Sequence, residues 1–451
     1  MLIGLVSSSL SYTQESTKLK LEHTIKGNIT PKSIIHNGHG LFFAQNMMYK
    51  HKITVYDRNF DLLKTISDKV KLGDFNIKDK SGEYQGSPVE ATATKDGKYV
   101  WVSNYQMYGK GYSNPGKDAC KTSSEYDKSY LYKINVNEFD IDDVVEVGCV
   151  PKYLDITKDE KYVLVSNWCS GDVSIIDVEK GFEIKKVKVG SYPRGVVIDN
   201  QNNFAYVAIM GSTKIAKIDL KSIDFDVLYI ENVGKKPRHL CISPNDKFIY
   251  ASLNSENKIA KIDLKSQKVI KKVYTGSTPR SMVLQKNGMY LYVVNYNSNT
   301  MSRIRTADMK VVQRISTGRH PIGITYDDST QKVWVACYSG SIKIYKTIPN
   351  IVNEPTLVSN KKQGTNLSSK IEISKNRFGN FHVIVGVFKN RKNSQKIIEY
   401  CNKKGYNAYI AIKSKTLEKV SCANFLTRKE AEKALIEIKS DINKSAWILE
   451  E

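Results

Sequence analysis

The side chains best suited to chemistry in this chain arrive as a series. Seven prolines, Pro31, Pro88, Pro151, Pro193, Pro237, Pro279 and Pro321, each open a short apolar run, and the residues directly after them are Lys32, Val89, Lys152, Arg194, Arg238, Arg280 and Ile322. Five of these seven positions are cationic, and Lys236, His239, Arg319 and His320 lie alongside. A guanidinium presents a planar fork of donors that fits carboxylate or phosphate two-handedly, so such a series points to an anionic ligand. The alternative is structural, with each arginine bonding backbone carbonyls of the neighbouring unit. Aromatic residues accompany the series at Tyr105, Trp168, Tyr296 and Tyr338.

Catalytic and metal chemistry have less to work with. The seven histidines, His23, His36, His39, His51, His239, His320 and His382, are scattered, and no paired carboxylates or Ser/His/Asp set stands out. The seven cysteines include no CxxC and no Cys/His spacing for zinc, so no metal or cofactor is implied. Cys241, Cys337, Cys401 and Cys422 sit within apolar patterns and read as packed thiols. Cys120, Cys149 and Cys169 do not. In an exported protein one disulfide is expected among them, from Cys120 to either Cys149 or Cys169. Cys120 belongs to a long insertion, YQMYGKGYSNPGKDACKTSSEYDKSY from Tyr105, rich in glycine and tyrosine. Loops of that length and composition are usually functional, and a lid or recognition arm is the expectation.

The elements that must position these residues follow from the spacing. From Pro151 onward the prolines recur at gaps of 42, 44, 42 and 42 residues, and the two earlier gaps of 57 and 63 contain insertions. Within one period, as in GCVPKYLDITKDEKYVLVSNW from Gly148, apolar alternation and turn residues predict four short strands. For that unit they are Tyr153–Thr157, Tyr162–Asn167, Asp172–Val178 and Ile184–Val189. One such sheet cannot bury both of its faces, so seven must stack radially. The last unit lacks its outer strand after Ser341–Tyr345, and Lys18–Lys26 (KLKLEHTIK) can supply it, which removes an exposed sheet edge. The wording YVLVSNWCSGDVSIIDV and YLYVVNYNSNTMSRI resembles the YVTN-type, lactonase-like repeat family over residues 19–348. That resemblance implies a seven-bladed β-propeller. Because lactonase-like propellers share the fold, an enzyme of lactonase or lyase type stays open beside simple binding.

After a polar segment the periodicity changes. FHVIVGVFKNRKNSQKIIEYCNKKGYNAYI and EKVSCANFLTRKEAEKALIEIKSDINKSAWIL are two similar halves, each reading strand, helix, strand. Thr427 and Glu430 fit a capping box, Ala431, Leu435 and Ile438 share a helical face, and Gly405 ends the first helix behind Ile397, Ile398 and Cys401. The βαββαβ order with VIVGVF and VSCANF resembles the SPOR domain, which implies binding to peptidoglycan glycan strands on a sheet face free of helices. Ile384 and Val387 stand where that family often has Gln and Ser, and Ala423 where it has Gly. Alternation turns Val383, Val385, Val420 and Cys422 toward the helices and leaves His382, Ile384, Lys419 and Ser421 outward. Tyr409 and Trp447 join them as flat surfaces for sugar rings.

The expected organisation is therefore mainly β: residues 1–17 a signal remnant or disordered start, 18–348 the propeller, 349–378 a linker, and 379–451 the α+β domain. The leading MLIGLVSSSL looks like the end of a secretory signal, too short to span a bilayer. A formal net charge of +23 favours polyanionic partners. The function that fits is non-enzymatic: a periplasmic or otherwise exported, wall-associated protein. It would be tethered to glycan and present the propeller to an anionic ligand or to envelope or division proteins. Nucleic-acid binding is the remaining competitor.

Overall fold

The structure, a computed structural model, describes residues 17–350 except 48, and residues 381–450 except 405, 407, 414, 415, 426 and 427. Most of the expected leader and linker, and with them Gly405 and Thr427, lie outside the described residues. The chain divides into two compact units, Met1–Asn350 and Ile351–Glu451.

The first unit is a ring of seven antiparallel four-stranded sheets. In blade 3 the strands are Pro151–Ile156, Tyr162–Asn167, Asp172–Asp177 and Phe182–Lys188, within two residues of the spans read from the sequence. Blade 7 is closed as expected: Thr17–Lys26 runs antiparallel to Ser341–Pro349, from Thr17 opposite Pro349 to Lys26 opposite Ser341. The innermost strands touch in a closed circle, the one starting at Ser33 meeting both that of Pro88 and that of Pro321. Between blades the core is aliphatic and aromatic, with Trp101, Trp334, Tyr132 and Tyr292 wholly buried. Such sheets stay folded only by burying both faces on neighbours.

Two features of the repeat find their cause here. In blades 2, 3 and 6 the glycine that precedes the proline makes room for an asparagine of the same blade: a Cβ on Gly86, Gly148 or Gly276 would stand 2.3, 2.6 or 2.6 Å from Asn104, Asn167 or Asn295. Those asparagines are buried and tie the blade's loop together, Asn104 accepting from the Ser87 N–H at 3.0 Å. Second, pairing of the innermost strand shifts register directly after the proline in blades 2 to 7. A bulge re-aims the side chain beside it, and in blades 3 to 6 that side chain is one of the cations.

The second unit is a four-stranded sheet with two helices. Its elements are β1 (Phe381–Phe388), α1 (Arg391–Lys403), β2 (Tyr409–Lys413), β3 (Glu418–Phe425), α2 (Arg428–Asp441) and β4 (Trp447–Glu450), with strand order β2-β3-β1-β4. Asn390 caps α1 through its side-chain oxygen, which accepts from the Lys392 N–H. Val383, Val385, Val420 and Cys422 pack with Cys401, Ala431, Ala434 and Ile438 of the helices. That is the face alternation assigns to them.

Candidate functional site

The five cations converge. Lys32, Lys152, Arg194 and Arg238 are each under one-tenth exposed, and Arg280 is half-buried. Three flat rings hold three of them. Lys152 Nζ lies 4.1 Å from the Tyr105 ring centre and 5.4 Å from that of Trp168, Arg194 lies 5.8 Å over Trp168, and Arg280 stacks 3.5 Å over Tyr296. Tyr296 in turn stacks on His320 at 4.5 Å. Cation–π contact orients a charge without neutralising it.

Only two carboxylates oppose this set among the described residues. Glu90 pairs with Lys32 at 3.3 Å, and Asp118 accepts from Lys152 at 2.9 Å and from the Tyr105 hydroxyl at 3.2 Å. Among the described residues the guanidiniums of Arg194 and Arg238 have no oxygen acceptor. Arg238 reaches only the Met210 sulfur at 4.0 Å, and Arg280 Nε is buried without a partner. The carbonyl-bonding alternative is filled by other groups. Ser103, Ser166 and Ser252 donate to the backbone carbonyls of Lys152, Arg194 and Arg280 at 2.7, 2.5 and 3.0 Å. Serine hydroxyls thus lace blade to blade, and those carbonyls do not engage the arginine guanidiniums.

The electrostatics follow from the crowding. Burial, stronger than the pull of Glu90, lowers the Lys32 amine to about 7, and the three arginines add to the shift. Burial and Arg194 also push Lys152 down, and burial with its two arginine neighbours does the same to Arg238. Against its own desolvation, Asp118 is held below the ordinary carboxylate range by Lys152 and Arg194. These residues repel one another and are kept together by the fold.

One residue further along the inner strands the channel opens into a cavity of about 370 Å³, lined by Glu90, Tyr153, His239, Ser33 and Ser281 among others. His239 is buried, its Nδ1 unpartnered, and burial with the adjacent arginines lowers it to about 3, so it stands neutral against Tyr153 at 4.7 Å. Glu90 and Tyr153 were not singled out from the sequence, whereas His239 was read there as lying alongside the cationic series. The available signal was the second position after each marker proline, which gives Ser33, Glu90, Tyr153, Gly195, His239, Ser281 and Gly323. Gly195 and Gly323 there let inner strands close up, since a Cβ would lie 2.8 Å from the His239 backbone or 2.7 Å from that of Ser33.

The insertion folds over this mouth. Cys120 is joined to Cys169, and Cys149 remains a buried thiol beside them. The Trp168 indole donates to the Asp118 carbonyl at 3.2 Å and the Tyr192 hydroxyl to the Cys120 carbonyl at 2.7 Å. The arm thereby reaches from blade 2 across blade 3 to the start of blade 4. Asp118 was missed in the sequence because nothing local marks one acid in a polar loop.

In the second unit, pairing lines up Tyr409, Ser421, Ile384 and Trp447 across all four strands, opposite the helix-packed face. His382 pairs with Asn424 and Lys419 with Val387 on either side. The six residues read from the sequence share this face, yet the expectation that they point freely outward needs correction. His382, Ile384 and Ser421 are buried. Two register shifts in β1 and β3 draw the strands off simple alternation. Ser421 turns its hydroxyl back to the Val383 and Ala423 carbonyls, and His382 Nδ1 is bonded to the Tyr409 hydroxyl at 2.8 Å. Trp447 and Val387 are exposed, Tyr409 and Lys419 half-buried.

These features define a repeat propeller with a cationic mouth, joined in one chain to a small βαββαβ domain. Residues 134–294 match the family described as YNCE-like beta-propeller, and residues 378–450 match the SPOR domain. The chain carries a YNCE-like propeller domain and a C-terminal SPOR domain, the latter a peptidoglycan-binding module. Among solved structures, a chain of Kuenenia stuttgartiensis hydrazine synthase is similar, with a TM-score of 0.56 at 15% identity over 72% of this chain and 98% of that one. At that identity the likeness concerns the fold alone. No curated protein matches.

Proposed function

We propose that the protein is a non-enzymatic cell-envelope binder whose SPOR domain holds glycan strands of peptidoglycan while the propeller mouth takes an anionic ligand. The observation that carries the propeller half is the imbalance at the mouth among the described residues: five cations against two carboxylates, with Arg194 and Arg238 buried and lacking oxygen acceptors. A buried charge without a partner costs several kcal/mol in order-of-magnitude terms, and a ligand that brings acceptors removes that cost. For the tether, Trp447 and Tyr409 bracket the row on the helix-free face and offer ring surfaces to sugars, with Lys419 beside them.

An exported, wall-associated location fits the Cys120–Cys169 bond, which persists in oxidising compartments. No helix among the described residues is long and apolar enough to cross a membrane. The test is co-sedimentation with purified sacculi, using the full chain and a chain lacking residues 379–451. Amidase treatment, which strips stem peptides, should raise retention of the full chain. Equal retention with and without that domain would overturn the tether.

A further inference from the structure

Resting on the reading that the mouth binds an anion, we infer that its ligand is a compact polycarboxylate, and that Asp118 on the insertion arm is the chain's own stand-in for one of that ligand's carboxylates. The geometry is that of a ligand contact carried by a loop. The Asp118 carboxylate receives the Lys152 ammonium and the Tyr105 hydroxyl at 2.9 and 3.2 Å, yet its side chain is 77% exposed whereas that of Lys152 is 3% exposed. A permanent structural partner for a buried lysine would be buried with it. An exposed one can be exchanged for an incoming carboxylate on the same two donors.

Its placement is built. The Cys120–Cys169 bond fixes the arm two residues away, and the Trp168 indole holds the Asp118 carbonyl. Gly116 lets the arm seat against the cysteines, because a Cβ there would stand 2.5 Å from Cys149 Sγ and 2.8 Å from Cys169 Sγ. With Glu90 committed to Lys32, displacement of Asp118 leaves Lys152, Arg194, Arg238 and Arg280 for the ligand. That set asks for at least two carboxylates, one on the Lys152–Tyr105 pair and the rest on guanidinium forks.

The experiment is calorimetric titration of the full-length protein with tricarballylate, succinate, pyrophosphate and sulfate, for wild type, Asp118→Asn and Arg194→Gln/Arg238→Gln. Tricarballylate should bind best, and Asp118→Asn should tighten it about tenfold by removing the competitor, a gain of ~1.4 kcal/mol. Reducing Cys120–Cys169 in wild type should tighten it in the same direction, and that arm of the test stands even where Asp118→Asn does not fold. If pyrophosphate outbinds tricarballylate, the carboxylate assignment is wrong. If tricarballylate binding depends on the arginines but is unmoved by Asp118→Asn and by reduction, the stand-in role is wrong while the anion site survives. If none of the four anions binds either wild type or Asp118→Asn, the underlying anion reading itself fails.

Discussion

The propeller mouth and the sheet face of the SPOR domain both bury polar side chains, and they treat them in opposite ways. On the SPOR sheet the buried groups are satisfied from within. Ser421 donates to two carbonyls, His382 meets Tyr409, and Ser394 is bonded to Glu418. At the mouth, among the described residues, Arg194, Arg238 and the Nε of Arg280 lack oxygen acceptors. Satisfied polar burial fixes a shape, and unsatisfied polar burial waits for something. On the proposed reading, glycan recognition on the SPOR face therefore falls to its exposed rim, above all Trp447, rather than to its buried floor.

The comparison is broken most decisively at the arginines. Charge reversal of Arg194, Arg238 and Arg280 to Glu should remove anion binding altogether, at least a hundredfold by titration calorimetry, and a folded triple variant that still binds would end the contrast. Loss of Trp447 comes next. Trp447→Ala should weaken glycan retention on sacculi about tenfold, a loss of ~1.4 kcal/mol. Unchanged retention would return recognition to the floor.

A third test uses pH. Lys32 is lowered from the ordinary lysine value to about 7. A lowered amine is a charge the folded state resists, so its unfavourable contribution is full below pH 7 and fades as pH rises toward 10.5. Wild type should thus gain stability relative to Lys32→Met across that window in urea titrations. Anion binding should run the other way, tighter at pH 6 than at pH 9. A difference that is flat with pH would mean Lys32 is not held as described. The smallest effect belongs to the satisfied side: Ser421→Ala should cost about 1 kcal/mol of stability and leave sacculus binding alone.

Much of the architecture was legible in the chain. The proline series, the strand alternation and the orphan strand at Lys18–Lys26 led to seven blades and their closure, because a two-residue period and a fixed repeat are local properties. The cations after the prolines, and Tyr105, Trp168 and Tyr296, were also readable, since each occupies the same place in its own copy. The burial of His382, Ile384 and Ser421 on the SPOR strands was not, because Cys422 and Val385 interrupt the pairing and a bulge leaves no mark on composition.

What the sequence alone determined, then, is everything that repeats: blade number, blade order, and which side chains gather at one end of the channel. Only the tertiary structure decided the partners. It chose Cys169 over Cys149 for Cys120, brought Asp118 onto Lys152 across 34 residues, set Glu90 on Lys32 across 58, and left the arginines without acids. A repeat specifies where a residue stands in its own blade. Whether its charge is answered depends on loops that depart from the repeat, and their course is fixed by packing between distant segments.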